Sequence, residues 1–104
     1  MKKYKIEIHA EAKIDFYAQI EYLSGQYCTV ETLHKFLDEM EAGSDAIEQN
    51  PFTWPLARPS QCVRKFGPTK TFRYLIFYTV LESGLIRIID YAGPGRQPRW
   101  MERI

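Results

Sequence analysis

Apolar and polar residues alternate from Tyr4 to Ile8, a period of two that predicts a short strand. The period then lengthens. From His9 to about Gly25, Phe16, Ile20, Leu23 and Tyr27 fall on one stripe of a helix, widened by Ile14 and Tyr17. Glu11 and Asp15 sit early in it, where the helix dipole favours negative charge. His9 stands where a cap should be, although imidazole caps less well than Ser or Asp. Thr29 predicts the cap of a second helix, with Glu31 in its first turn. Its buried stripe reads Val30, Leu33, Leu37, Met40 and Ile47, with Phe36 beside it. Gly43 weakens that helix by roughly 1 kcal/mol relative to Ala, and Asn50-Pro51 ends it. Two helices joined by so few residues form an antiparallel hairpin.

Beyond Pro51 the pattern becomes that of a sheet. Phe52 to Pro59, with Trp54 and Pro55, reads as an ordered turn whose tryptophan covers an end of the core. Gln61–Phe66 is a short strand, and Gly67-Pro68-Thr69-Lys70 a four-residue loop. Phe72–Leu81 is apolar on both faces, the mark of a strand with a neighbour on each edge. Glu82-Ser83-Gly84 separates it from Leu85–Tyr91, a hairpin signal. The order is β-α-α-β-β-β. This predicts one α+β domain over residues 1–104, an antiparallel sheet with an N-terminal helical hairpin packed on one face.

Register carries the first functional hint. If Leu81 faces Leu85, Gly93 falls opposite Arg73, and Arg96 comes close to Arg73. If Phe66 faces Thr71, Arg64 falls directly opposite Arg73. Like charges so opposed are destabilising, so they splay apart or an anion sits between them.

Composition narrows the class. The chain has 104 residues, 45% hydrophobic and 26% charged, a globular balance. No apolar run approaches the ~18 residues of a membrane span, and the N-terminus lacks the apolar core of a signal peptide. Cys28 and Cys62 lack companions at metal spacing. They read as buried reduced thiols, which implies a cytoplasmic location. Net charge is +1, unevenly placed. Residues 1–57 carry five Lys/Arg and ten Asp/Glu, a balance of −5; residues 58–104 carry nine and three, a balance of +6. Either the surface is dipolar, with a basic part that attracts phosphates or an acidic protein segment, or one half neutralises the other within the fold.

The candidate site is therefore basic: Arg64, Arg73 and Arg96 by register, with Lys65, Lys70 and Arg99 near them in sequence and Trp100 at the margin. Guanidinium forks for phosphates and a flat ring for a base suit RNA. Acidic side chains of a partner protein suit the same groups. So does internal pairing with Glu82, Asp90 or Glu102. No phosphate loop, nucleophile elbow, metal set or cofactor motif is visible. His34 shares a solvated helix face with Asp38 and Glu41.

Several stretches, taken in order, resemble the ParE/RelE superfamily of bacterial toxins. Glu11-Ala12-Lys13-Ile14-Asp15 with Ile20-Glu21-Tyr22-Leu23 looks like the first helix of ParE-type, plasmid-stabilisation toxins. Asn50-Pro51 matches the usual end of helix two. Phe72 to Tyr78, an arginine followed by apolar residues and a tyrosine, looks like the central-strand signature. Tyr91 to Arg96 resembles the closing strand and its short basic tail. The resemblance spans essentially the whole chain and implies a toxin neutralised by a cognate antitoxin protein. ParE-type members poison DNA gyrase. RelE-type members cut mRNA on the ribosome, with basic residues at the scissile phosphate and a His or Tyr near the C-terminus.

On that resemblance Arg73 and Arg96 match the two family arginines, and Arg64 and Lys65 fall at the basic positions of the second strand. They would be contact residues in a ParE-like protein and catalytic only in a ribonuclease. No His or Tyr follows Arg96. Cleavage by 2′-OH attack needs proton transfer, and arginine stays protonated. Nothing in the sequence places Tyr91 at a phosphate. The expectation is thus a ParE-like, non-enzymatic gyrase inhibitor. A RelE-like endonuclease is the alternative, and an inactive binding-only relic of the fold the third.

Overall fold

A computed structural model of the protein describes residues 4–25, 29–58 and 62–103. Tyr27, Cys28, Pro59 and Gln61 lie outside the described residues. The elements are β1 (Lys5–Ile8), α1 (Ala10–Gly25), α2 (Val30–Gln49), β2 (Leu56–Arg58), β3 (Val63–Phe66), β4 (Leu75–Val80) and β5 (Leu85–Ala92). A 3-10 turn at Trp100–Glu102 follows. The strands form one sheet in the order β1-β5-β4-β3-β2. The class is α+β, with both helices on one face.

Two strand features depart from the sequence reading. β1 runs parallel to β5, so the sheet is mixed. Its direction follows from where α1 must start: the His9 N–H donates to the Ile88 carbonyl at 2.8 Å, which lets Phe16 reach Tyr91, 5.0 Å between rings. The second departure is β2, which lies inside the stretch read as a turn and pairs with β3 at the edge of the sheet. Three residues are too few to show a period, and Pro55 beside them is tolerated only at an edge. Trp54 does cover the core, edge-on to Phe66 at 4.6 Å.

Helix capping follows the sequence. His9 Nδ1 accepts the Glu11 N–H at 3.1 Å, and Thr29 Oγ1 accepts the Thr32 N–H at 3.1 Å. The stripes are narrower than expected. α1 buries Ala12 and packs Phe16, Ile20 and Leu23 on the core, while Ile14 and Tyr17 point to solvent. α2 centres on Phe36, Met40, Gly43 and Ile47, and Val30 is exposed. Gly43 has a packing role. A Cβ there would lie 3.0 Å from Phe66 Cε1 and 3.2 Å from Ile76 Cδ1, so glycine lets the helix settle onto the sheet.

β4 is buried on both faces. Tyr74, Ile76 and Tyr78 join Phe36, Ile86, Ile88 and Tyr91 beneath the helices. Phe77 joins Val63, Ile89, Ala92 and Trp100 on the other side. Trp100 stacks on Phe77 at 5.9 Å, so the segment after β5 folds back and covers that face.

A corner closes the structure. β1 pairs with β5 only as far as Ile88. Just past it the Ile89 carbonyl accepts Arg103 Nη1 at 2.9 Å. The same guanidinium binds Asp90 at 3.4 Å, Glu11 at 3.2 Å and Asp15 more closely still. Arg103 has only 3% of its side chain exposed. Asp90 also accepts the Arg99 N–H. Here basic and acidic halves of the chain neutralise each other, as Arg87 and Glu7 do on neighbouring strands at 3.6 Å.

Candidate functional site

The end of the sheet where β4 begins and β5 finishes carries the candidate site. Between β3 and β4 the chain makes a loop from Gly67 to Tyr74, twice the expected length. It is built on local hydrogen bonds. The Thr69 N–H donates to the Tyr74 carbonyl at 2.9 Å, and the Arg73 N–H to the Thr69 carbonyl at 3.2 Å. Thr69 Oγ1 accepts the Tyr74 N–H at 2.8 Å. From α2, Glu39 accepts the N–H groups of Thr71 and Phe72, each at 2.8 Å. Burial pushes the Glu39 carboxyl up. The N–H of Phe72 and the hydroxyl of Thr69 outweigh that, with Thr71, and hold it below the ordinary carboxylate range. The loop is thus clamped to α2, and Phe72 turns inward against Phe36 at 5.2 Å.

Arg73 leaves this turn at φ 61° with its side chain exposed. A left-handed backbone is costly for a residue with a Cβ, on the order of 1–3 kcal/mol, and such strain gathers at functional sites. β4 regularises only at Leu75, three residues later than expected.

Registers decide which arginines meet. β3 and β4 pair as Arg64 with Tyr78 and Phe66 with Ile76. Arg64 is therefore not opposite Arg73. About five residues of strand, roughly 16 Å, separate the two positions. The longer loop is the cause, since it moves the whole pairing. Arg64 is also engaged: its Nη1 donates to the carbonyls of Phe52 at 3.2 Å and Trp54 at 2.6 Å, and it lies over the Phe52 ring. It holds the turn after α2.

Between β4 and β5, Val80 pairs with Ile86, as the expected register requires. Ile89 is then an extra residue, so Phe77 pairs with Asp90 and Leu75 with Ala92. Extended one step, this shifted register sets Gly93 beside Tyr74 rather than Arg73. A Cβ on Gly93 would meet the Tyr74 ring at 2.9 Å, so the phenol packs under the turn. Arg96 closes that turn through its N–H to the Gly93 carbonyl at 3.2 Å. Burial pushes the Tyr74 hydroxyl up, and the nearby charge of Arg96 partly offsets it. Arg73 and Arg96 thus lie at the same end of the sheet, and Arg64 does not.

The remaining site residues scatter. Lys70 is exposed on the same loop, in a groove of about 240 Å³ with Glu39, Gly43 and Phe66. Lys65 pairs with Phe77 and so lies on the face away from the helices. Arg99 is exposed, in a groove of about 290 Å³ beside Glu11 and Asp15 of α1. Trp100, only 6% exposed, packs in the second core. It offers no open face as a margin ring. Nor are both cysteines buried, since Cys62 is exposed. Tyr91 is buried against Phe16, and burial pushes its hydroxyl well above the usual range.

Tyr74 and Arg103 were missed by sequence reasoning. Tyr74 stands in an apolar alternation like any core residue, and only the bulge sets it by Arg96. Arg103 shows no pattern at all.

No family model matches this chain, and no curated protein does. No helix among the described residues is long and apolar enough to cross a membrane. Among the same residues no group of His, Cys, Asp and Glu could hold a metal ion. The site can offer cationic forks, a buried neutral phenol and backbone groups.

Proposed function

We propose that the chain is the toxin of a type II toxin–antitoxin pair, ParE-like, cytoplasmic, acting on DNA gyrase through contact and neutralised by a cognate antitoxin. The reading rests on the resemblance of its helix, central-strand and closing-strand stretches to that superfamily. The observation that carries the choice within it is the pair of exposed arginines, Arg73 and Arg96, at a sheet end where the neighbouring Tyr74 phenol is pushed toward the neutral form by burial. A phenol that stays protonated accepts no proton from a 2′-OH at neutral pH. Arg73→Ala should relieve inhibition of purified gyrase supercoiling, with ribosome-bound mRNA left intact. Intact supercoiling at saturating protein would sink the proposal.

One observation favours the ribonuclease as a second reading. Tyr74 beside Arg96 supplies a proton donor near a cation, and a donor could serve a leaving oxygen. In that case primer extension on a translating ribosome would show cuts. They would be lost in Tyr74→Phe and weakened ~10²–10³-fold in Arg73→Ala.

A further inference from the structure

Helix α1 is apolar on two opposite faces. Ala12, Phe16, Ile20 and Leu23 meet the core. The opposite arc carries Ile14, Tyr17, Ala18 and Tyr22, with Glu11 and Glu21 the charges among them. Ile14 is 66% exposed, Tyr17 58% and Tyr22 60%. α2 behaves differently. Its outer face is Glu31, Lys35, Asp38, Glu41, Asp45 and Glu48, all exposed, as a solvated helix requires. A helix apolar all round is a helix buried all round, and an exposed apolar stripe of this kind marks an interaction surface.

The stripe is complementary to itself. If two copies of α1 lie antiparallel about a dyad between Tyr17 and Ala18, each Tyr17 packs over the partner's Ala18, bulk against the smallest side chain on the stripe. The same dyad brings Lys13 within one residue of the partner's Glu21, and symmetry repeats that pair. Both residues are exposed, and neither is in an ion pair among the described residues. A C2 contact needs this reciprocity, residue i meeting j while j meets i. The helix dipoles also oppose. The contact area is one helix of 16 residues, about 24 Å long, below a standard interface.

We propose that the outer face of α1 is a homodimer interface, an antiparallel helix pair centred on Tyr17 and Ala18, weak and concentration-dependent. It depends on no reading of the protein's activity.

Sedimentation velocity of the full chain from about 1 µM to 1 mM tests it, since a contact of this size dissociates within that range. The expected result is a reversible monomer–dimer equilibrium. Ala18→Glu abolishes it. Lys13→Glu or Glu21→Lys alone weakens it about tenfold, because two attractions become two repulsions. The double swap of Lys13→Glu with Glu21→Lys restores it. All three positions are exposed, and unchanged thermal midpoints confirm that each variant folds. A chain monomeric at every concentration overturns the proposal. So does a double swap that fails to restore, or a heterologous helix that needs Tyr17 and Ala18 while the chain alone stays monomeric.

Discussion

Arg73 and Glu39 show how one loop combines cost and restraint. Arg73 holds a left-handed backbone that glycine adopts freely. Arg73→Gly should therefore raise stability by about 1 kcal/mol in urea unfolding while weakening target inhibition. A residue kept only for folding would lose on both. Glu39 supplies the restraint. Its folded-state carboxyl is held below the ordinary range. Its contribution is thus complete above the unfolded carboxylate value and is lost as pH falls through the lowered one. Glu39→Gln should lower stability at neutral pH by about 1–2 kcal/mol, from weaker bonds to two N–H groups. The variant's urea midpoint should also fall less steeply between neutral pH and pH 3. An acid limb as steep as the parent's would remove Glu39 from the loop.

At the scale of elements, β4 and α2 meet at Gly43. Ile76 is fully buried in the first core, and Ile76→Asp leaves an unpaired charge there, a loss of several kcal/mol. Gly43→Val should cost about 1–3 kcal/mol by overpacking against Phe66 and Ile76, although valine forms helix better than glycine. An unchanged thermal midpoint in Gly43→Val would show that α2 stands off the sheet. Elements with a clear period were legible in the sequence: both helices, the Thr29 cap and the doubly apolar β4. Their stripes were less so, because α1 carries two apolar faces and periodicity cannot say which is inside. The basic site was half legible. Arg73 and Arg96 share an end because any hairpin closing near Glu82 brings them there. Arg64 does not, because loop length and a bulge move register by whole residues, and neither leaves a hydrophobic signature.

For the whole molecule, the Arg103 corner joins chain segments far apart in sequence. Removing one partner of a buried ion pair strands the others, at about 3–5 kcal/mol. Arg103→Met should lose that much in urea unfolding, more than any exposed ion pair here, because Asp90 stays buried without its guanidinium. Adding Asp90→Asn should recover part of the loss. Equal stability of Arg103→Met and the parent would show that the corner contributes nothing.

β1 has a further consequence, in the order of folding events. Among the described residues β1 pairs with β5 alone, and both helices and every other described strand lie between the two in the chain. Parallel pairing at that separation closes a loop of nearly the whole chain, and such non-local contacts form slowly. The hairpin of β4 and β5 can assemble around local contacts while β1 waits. In pulse-labelled hydrogen exchange, the amides of Lys5 to Ile8 should gain protection after those of Leu75 to Val80. A nascent chain halted before Leu85 would carry a strand with no place to dock.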